Sequence, residues 1–406
     1  MTKMKKKIRV QLSLMMFLEF LIWGAWFVTM GTHMGSNLNS SGTEIGTAYM
    51  TQAWGAIVAP FIIGLIADRY FAAQKLLGVL HLIGAALLYL MGTSGNFSSF
   101  YPYLLGYMLI YMPTLALVNS VSFNQMQNPS KQFASIRFWG TVGWIAQGVL
   151  IGYVLLWESK DMLDQTFVLA AAASAFLGIY SFTLPNTPPP AQGQKASIRE
   201  IVGADALSLL KDKNYLVFFI SSVLICIPLA FYYSFANPFL NEVGMANATG
   251  NMSFGQISEA LFLLLLPVFL RRFGLKITIL IGMFAWVIRY ALFAVGDAGS
   301  NIWMLFLGIL LHGICYDFFF VSGQIFTDYK AGEKIRSAAQ GLITLATYGV
   351  GMLIGFKIAG LIVDSYVMES GLHIWKNIWV IPSAISGAVL LFFLLAFKNE
   401  KIDLNM

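Results

Sequence analysis

The chain has 406 residues, of which 58% are hydrophobic and only 11% are charged, and its formal net charge is +6. A soluble domain of this length exposes far more charge, so the composition excludes an ordinary soluble protein. The positive balance comes from basic loops between apolar runs, and it therefore does not indicate binding to nucleic acid.

Apolar runs of about 20 residues, the length that crosses a bilayer as a helix, follow one another along the chain. They cover residues 10–34, 43–67, 73–93, 100–126, 134–157, 164–184, 214–240, 253–271, 276–296, 302–327, 338–363 and 376–397. Lipid cannot form hydrogen bonds with a backbone, so these runs are expected to be helices. The predicted fold class is an all-α membrane protein with twelve transmembrane helices in two six-helix bundles.

Basic residues precede the first run and follow the second, fourth, sixth, eighth, tenth and twelfth runs. The loops on the other side hold only Lys160 and Lys376. The positive-inside rule then places both termini in the cytoplasm, and we expect a multi-pass protein of the bacterial cytoplasmic (inner) membrane. Cys226 and Cys315 lie within predicted spans, so no disulfide framework is expected.

A Pro-rich polar stretch after the sixth run divides the chain into two halves. We predict an N-terminal bundle over 1–185, a cytoplasmic linker over 186–212 and a C-terminal bundle over 213–406. This plan is that of a major facilitator superfamily transporter, in which two bundles alternate around a midplane site. The segment GLIADRYFAAQK resembles the loop signature of that superfamily, which implies a gating role for Asp68 and Arg69.

Ionisable residues within the predicted spans are the first candidates for function, because a charge at mid-bilayer costs about 2.5–3.5 kcal/mol. They are Glu19, Arg137, Glu259, Arg289, Asp317 and Lys357. Arg289 and Lys357 have no obvious neighbours in the sequence, and they are interpreted as structural. His81, a polar residue of the third run, is interpreted as forming a helix–helix hydrogen bond.

In the fifth span, Arg137, Thr141 and Trp144 follow the spacing i, i+4, i+7 and share one face. A guanidinium fork binds vicinal oxygens, and an indole ring stacks on a sugar or a base. The alternative is that Arg137 extends to the cytoplasmic interface and Trp144 only packs. Gly140 and Gly143 beside this face would allow close approach of a neighbouring helix.

The eighth and tenth spans carry the second set of candidates. Gln256 and Glu259 lie one turn apart, and an amide beside a carboxylate can bind hydroxyls or ring nitrogens. His312 and Tyr316 share a face, and Asp317 follows them as a candidate proton site. A helix–helix hydrogen bond is the alternative for the eighth span, and a helical kink or pairing between the two domains is the alternative for the tenth.

Polar and aromatic residues on the remaining spans extend this set. Glu19, Trp23 and Trp26 again follow i, i+4, i+7, and Glu19 is deep enough to need a partner. Asn119 and Tyr233 are further candidates for substrate contact. Together these residues are expected to line a central cavity, which would make the sparse ionisable groups tolerable in a membrane.

Several segments resemble those of the nucleoside:proton symporter family, in the same order along nearly the whole chain. They are FLIWGAWFVTMG, YMPTLALVNSVS, IRFWGTVGW, QISEALF, AWVIRYALFA and CYDFFFVSG. The resemblance implies substrate roles for Arg137, Thr141, Gln256 and Glu259, and proton coupling at Asp317.

This chain also departs from the family pattern. Trp144 stands in place of phenylalanine, and His312 and Tyr316 stand in place of tyrosine and phenylalanine. Glu19 replaces a glutamine and adds a second protonatable group. Ala230 and Tyr233 replace two amides on the seventh helix, so the base specificity of the family does not follow for this chain.

The predicted function is therefore a proton-coupled nucleoside importer that works by alternating access. We expect nucleosides, protons and the lipid bilayer as partners, no nucleic acid, no metal and no cofactor besides the proton as co-substrate, and a monomer. A sugar or oligosaccharide:proton symporter is the alternative in the same superfamily. A membrane receptor or enzyme is a third class, but no phosphate loop, HExxH motif or nucleophile triad is visible.

Overall fold

The structure is a computed structural model of the chain. It describes residues 5–63, 66, 68–189 and 203–400, without the side chains of residues 68 and 129–131. The regular elements in these ranges are helical, which confirms the all-α prediction. Eight stretches of the described chain are long and apolar enough to cross a membrane, and two of them span 48 and 64 residues. The count of twelve spans stays a prediction.

The chain folds into two compact units. The first comprises Met1–Ser40 and Trp54–Ser197, and the second comprises Ser41–Ala53 and Ile198–Met406. The predicted boundaries of the bundles stay predictions, and residues 190–202 of the predicted linker lie outside the described residues.

The first unit is built from helices that pack mainly in pairs. They are α1 (Lys6–Phe27), α2 (Met30–Asn37), the second part of α3 (Gly42–Ile62), α4 (Asp68–Tyr70), α5 (Ala73–Gly92), α6 (Phe97–Asn124), α7 (Pro129–Val149) and α8 (Asp164–Ser181). Helix α1 packs against α7 and α8, and α5 packs against α6 and α8. A Cβ atom on Gly143 would lie 2.2 Å from the carbonyl oxygen of Phe17. The predicted close approach at this glycine is therefore confirmed, and the neighbour is α1.

The second unit contains longer and more irregular helices. They are α9 (Lys213–Glu242), α10 (Ala248–Val295), α11 (Ile302–Leu310), α12 (His312–Tyr316), α13 (Ser322–Thr344), α14 (Met352–Ser365) and α15 (Trp375–Ala396). Helix α10 is interrupted at Gly274, which has φ 73° and ψ 173°, a conformation suited to glycine. Helix α10 packs against α12 and α15, and α9 packs against α14 and α15.

The start of α3 belongs to the second unit and is held there by a carboxylate. The Asp364 side chain of α14 accepts hydrogen bonds from the backbone N–H groups of Gly42 and Thr43, at 2.6 and 2.8 Å. These N–H groups have no partner within their own helix, so a carboxylate satisfies them and complements the helix dipole.

Candidate functional site

In the first unit, the predicted face of α7 lies against aromatic side chains of α1. The guanidinium carbon of Arg137 is 4.0 Å from the centroid of the Phe20 ring. The Trp144 ring meets the Trp23 ring edge to face, with 5.5 Å between centroids. Arg137, Thr141, Trp144 and Trp23 all keep part of their surface exposed. This arrangement offers hydrogen-bond donors, a hydroxyl and flat apolar rings on one side of a helix.

The structure places two other predicted residues of the first unit in different surroundings. Trp26 has no exposed surface and packs against Tyr107 and Phe167, at 5.6 and 5.9 Å between ring centroids. It therefore belongs to the core of the first unit, although helical spacing had grouped it with Trp23. Asn119 lies on α6 and is partly exposed.

Glu19 lies at the centre of a buried hydrogen-bond network in the first unit. Its Oε2 is 2.9 Å from His81 Nε2, and its Oε1 accepts a hydrogen bond from the Thr114 hydroxyl at 2.6 Å. The other imidazole nitrogen of His81, Nδ1, is 3.0 Å from Ser174 Oγ. Glu19, Ser174, Thr114 and His81 are 0–2% exposed. The helix–helix hydrogen bond predicted for His81 is confirmed, and the carboxylate of Glu19 is fully partnered.

In the second unit, α10 and α12 bring Glu259 and His312 together. Glu259 Oε2 is 3.6 Å from His312 Nε2, and the Glu259 side chain is 26% exposed. His312 Nδ1 is 3.0 Å from Nη1 of Arg289. Close packing permits this geometry, because a Cβ on Gly313 would lie 2.5 Å from the Ser258 carbonyl oxygen. Gln256, one turn before Glu259, is partly exposed.

Tyr316 and Asp317 follow His312 along the chain, and the structure gives them different surroundings. The Tyr316 ring is 5.9 Å from the His312 ring, and its hydroxyl is hydrogen-bonded to that of Tyr348. Asp317 begins a π-helical turn, is 1% exposed, and its Oδ2 has no hydrogen-bond partner within the described chain. Tyr233 is partly exposed on α9. Turns of this kind are frequent at functional sites.

The remaining predictions concern the gating residues, the cysteines and metal binding. The side chain of Asp68 lies outside the described residues, and Arg69 is partly exposed on α4. Both cysteines are free and buried. Among the described residues, no group of three or more His, Cys, Asp or Glu side chains could hold a metal ion.

Sequence reasoning missed the partners that tie these side chains together. Arg289 is 0% exposed and contacts His312, but their separation by 23 positions in the sequence hid the pairing. Ser174 and Thr114 are hydroxyl residues in apolar helices. Nothing in their local sequence indicates that they form hydrogen bonds with His81 and Glu19. Only the charge on Arg289 and its position in an apolar run could have signalled a function.

Comparison with known proteins identifies the family. The family model described as Nucleoside H+ symporter matches residues 4–402. The chain is 43% identical to the putative nucleoside transporter YegT of Escherichia coli, over 98% of this chain and 96% of that protein. It is 32% identical to the nucleoside permease NupG of the same organism, over 97% of each.

A crystal structure of the nucleoside transporter NupG superimposes with a TM-score of 0.87 at 31% identity, covering 97% of this chain and all of that one. The helical architecture is thus that of a membrane transporter, and the protein is not an enzyme. The chain belongs to the nucleoside H+ symporter family.

Proposed function

We propose that this protein imports nucleosides together with protons, by exposing one binding site alternately to the two sides of a bacterial inner membrane. In this proposal twelve spans cross the membrane, both termini are cytoplasmic, the protein acts as a monomer in the lipid bilayer, and no cofactor is needed besides the proton. Family membership supports the substrate pair. The distribution of Lys and Arg between alternate loops supports the orientation.

The observation that carries the proposal is the partial exposure of charged side chains in apolar helices. Arg137 and Glu259 both keep exposed surface; Arg137 lies over the Phe20 ring, and Glu259 lies beside the His312 imidazole. A charge facing lipid is unfavourable by several kcal/mol, roughly 2.5–3.5 on insertion scales. Such a side chain is tolerated where water or a polar solute reaches it.

Side chains of the first unit recognise the nucleoside in the following way. Arg137 donates to ribose oxygens, and Thr141 adds a hydroxyl one turn away. Trp144, held edge to face by Trp23, provides a flat surface for the rings. Asn119 is a further polar contact.

Side chains of the second unit complete recognition in this proposal. Glu259 accepts hydrogen bonds from ribose hydroxyls, and Gln256 orients the nucleoside through its amide. Tyr316 supplies aromatic surface near His312, and Tyr233 on α9 supplies a further ring. Asp68 and Arg69 act in gating rather than in binding.

Proton coupling is assigned first to Asp317. An ionised carboxylate with an unpartnered oxygen in an apolar site is unfavourable, so this site suits a group that takes up a proton and releases it. Glu19 is the second choice, and Glu259 the third. One proton contributes about 2.3 kcal/mol per 100 mV to a neutral substrate, which supports roughly 50-fold accumulation.

Uptake of labelled uridine into proteoliposomes with an imposed proton gradient tests the substrate class. Unlabelled nucleosides should compete and disaccharides should not. Competition by disaccharides alone would favour the sugar:proton symporter. Saturable binding without accumulation would instead indicate a receptor.

The Arg137→Ala variant tests recognition by the first unit. Loss of charge-assisted hydrogen bonds, worth about 1.5–3 kcal/mol, should reduce uptake roughly 10- to 100-fold. Arg272→Ala, at an exposed position, is the control and should retain uptake. Unchanged uptake by Arg137→Ala at normal membrane abundance contradicts its role.

The Asp317→Asn variant tests coupling. It should bind nucleoside but lose accumulation against a gradient, by about 50-fold at 100 mV and one proton per substrate. Asp205→Asn, in an exposed segment, is the control. The reverse result, with full accumulation by Asp317→Asn and none by Glu19→Gln, moves the coupling site to the first unit.

A further inference from the structure

Arg289 is a fully buried cation on the second part of α10, and it lies against aromatic rings rather than a carboxylate. Its guanidinium carbon is 3.5 Å from the centroid of the Tyr232 ring, a cation–π contact. Its Nη1 is 3.0 Å from His312 Nδ1. The imidazole of His312 in turn stacks on Tyr232, with 5.3 Å between ring centroids. Arg289 and His312 therefore share one aromatic neighbour and are hydrogen-bonded to each other.

This hydrogen bond fixes the position of the proton on His312. A guanidinium in a protein stays protonated and has only donors, so Nδ1 must be the acceptor. An imidazole whose Nδ1 accepts is neutral and carries its proton on Nε2. That Nε2 is the atom 3.6 Å from Glu259 Oε2. The geometry thus directs an N–H group toward the carboxylate.

We propose that Arg289 is a positioning residue for the substrate site: it holds His312 as the neutral Nε2–H tautomer, which directs the Glu259 carboxylate toward substrate. The consequence for recognition rests on the proposed nucleoside function; the tautomer itself does not. Arg289 acts through His312 and does not touch the nucleoside.

The groups that face His312 come from three helices. They are Arg289 and Glu259 on α10, Tyr232 on α9, and Tyr316 on its own helix α12. Adding a proton to His312 would place an N–H at Nδ1 directly against the N–H of Arg289. Neither N–H would then have an acceptor in this contact. His312 therefore stays neutral while Arg289 is present, and its Nε2–H stays directed toward Glu259.

The first measurement is made on the wild-type protein. The imidazole ¹⁵N spectrum of histidine-labelled protein should show an unprotonated Nδ1 for His312 from pH 5.5 to 8. The chain has four histidines, so the signal is assigned by its loss in H312Q. A protonated Nδ1 anywhere in this range would overturn the proposal.

The second measurement separates positioning from packing by a pH profile. In R289M no guanidinium faces Nδ1 of His312, so protonation of that nitrogen is no longer opposed, and nucleoside affinity should fall as the pH is lowered from 7.5 to 5.5, a fall that the wild-type protein does not show. R289K keeps a charged donor and should keep the wild-type profile, and R289M/H312Q should lose the new pH dependence. A purely structural Arg289 would lower stability in R289M without changing the shape of the profile, and that result contradicts the proposal.

The two failures are distinguishable. If no variant and no wild-type sample binds uridine, the nucleoside function is wrong, but the ¹⁵N result still decides the tautomer. If R289M does not fold, the comparison of wild type with R289K and H312Q remains. H312Q should then weaken binding, because its flexible amide does not hold Glu259 in one orientation.

Discussion

Each unit contains one buried histidine beside a carboxylate, and the two pairs differ in what lies on the far side of the imidazole. In the first unit, His81 contacts Glu19 through Nε2, and its Nδ1 faces the Ser174 hydroxyl. In the second unit, His312 faces Glu259 through Nε2, and its Nδ1 faces a guanidinium. The first carboxylate is wholly buried and the second is 26% exposed.

This difference decides how many hydrogen-bonding arrangements are open to the imidazole. The Ser174 hydroxyl can donate to Nδ1, or it can accept from Nδ1 and donate to the His81 carbonyl oxygen 2.9 Å away. His81 therefore keeps its hydrogen bonds in either protonation state. A guanidinium offers no such choice, so His312 has one state. The first pair is a buried network whose hydrogen bonds are satisfied, whereas the second is organised to present a carboxylate.

The largest expected contrast comes from removing each carboxylate. Glu19→Leu leaves the buried imidazole of His81 without its carboxylate partner, although the Thr114 hydroxyl can still donate to the Tyr111 carbonyl oxygen, and it should cost about 3–5 kcal/mol of stability. Glu259→Leu removes a partly exposed carboxylate that lies farther from its histidine, and it should cost about 1 kcal/mol of stability or less. Thermal unfolding of the purified variants in one detergent measures both. Equal losses would show that burial does not distinguish the pairs.

A neutral amide at position 19 sharpens the contrast. Glu19→Gln can still donate and accept, so the network stays satisfied and the melting temperature should change little. The pair can no longer hold a proton on the carboxylate. If Asp317 is the coupling site, accumulation by this variant stays within about twofold of wild type, in contrast to the roughly 50-fold loss at Asp317→Asn.

Helix spacing offers a third comparison. Gly143→Ala forces a Cβ against the Phe17 carbonyl oxygen of α1, and Gly313→Ala forces one against the Ser258 backbone beside Glu259. Overpacking of this kind costs about 1–3 kcal/mol. Gly387→Ala is the control, because its Cβ would meet nothing within 4 Å. Gly313→Ala should also weaken nucleoside binding by separating α12 from α10, and a variant with wild-type affinity contradicts this.

The smallest effect is expected from removing the Ser174 hydroxyl. Ser174→Ala leaves His81 Nδ1 without its partner and should cost about 1 kcal/mol. Ser386→Ala is a matched control: Ser386 is equally buried, but its hydroxyl only donates to the Pro382 carbonyl oxygen of its own helix. A melting temperature for Ser174→Ala equal to that of the control would remove the proposed difference between the two histidines.

The interpretation of individual residues succeeded where one helix was sufficient. The face of Arg137 and Trp144 and the close contact at Gly143 follow from spacing within α7, since helical geometry fixes which side chains share a face. The same rule grouped Trp26 with Trp23, yet Trp26 packs in the core. Spacing says which residues share a face but not what that face contacts. The assignment of Arg289 as structural missed its contact with His312 for the same reason.

Composition and hydropathy alone determined that this is a helical membrane protein, because a lipid solvent leaves the backbone few alternatives. Segment resemblance added the transporter family. Only the tertiary structure decided which buried polar side chains meet: His81 with Glu19, 62 positions apart, and Arg289 with His312, 23 positions apart. Hydrogen bonds need atoms within about 3 Å of each other, and that proximity comes from helix packing rather than from any pattern along the chain.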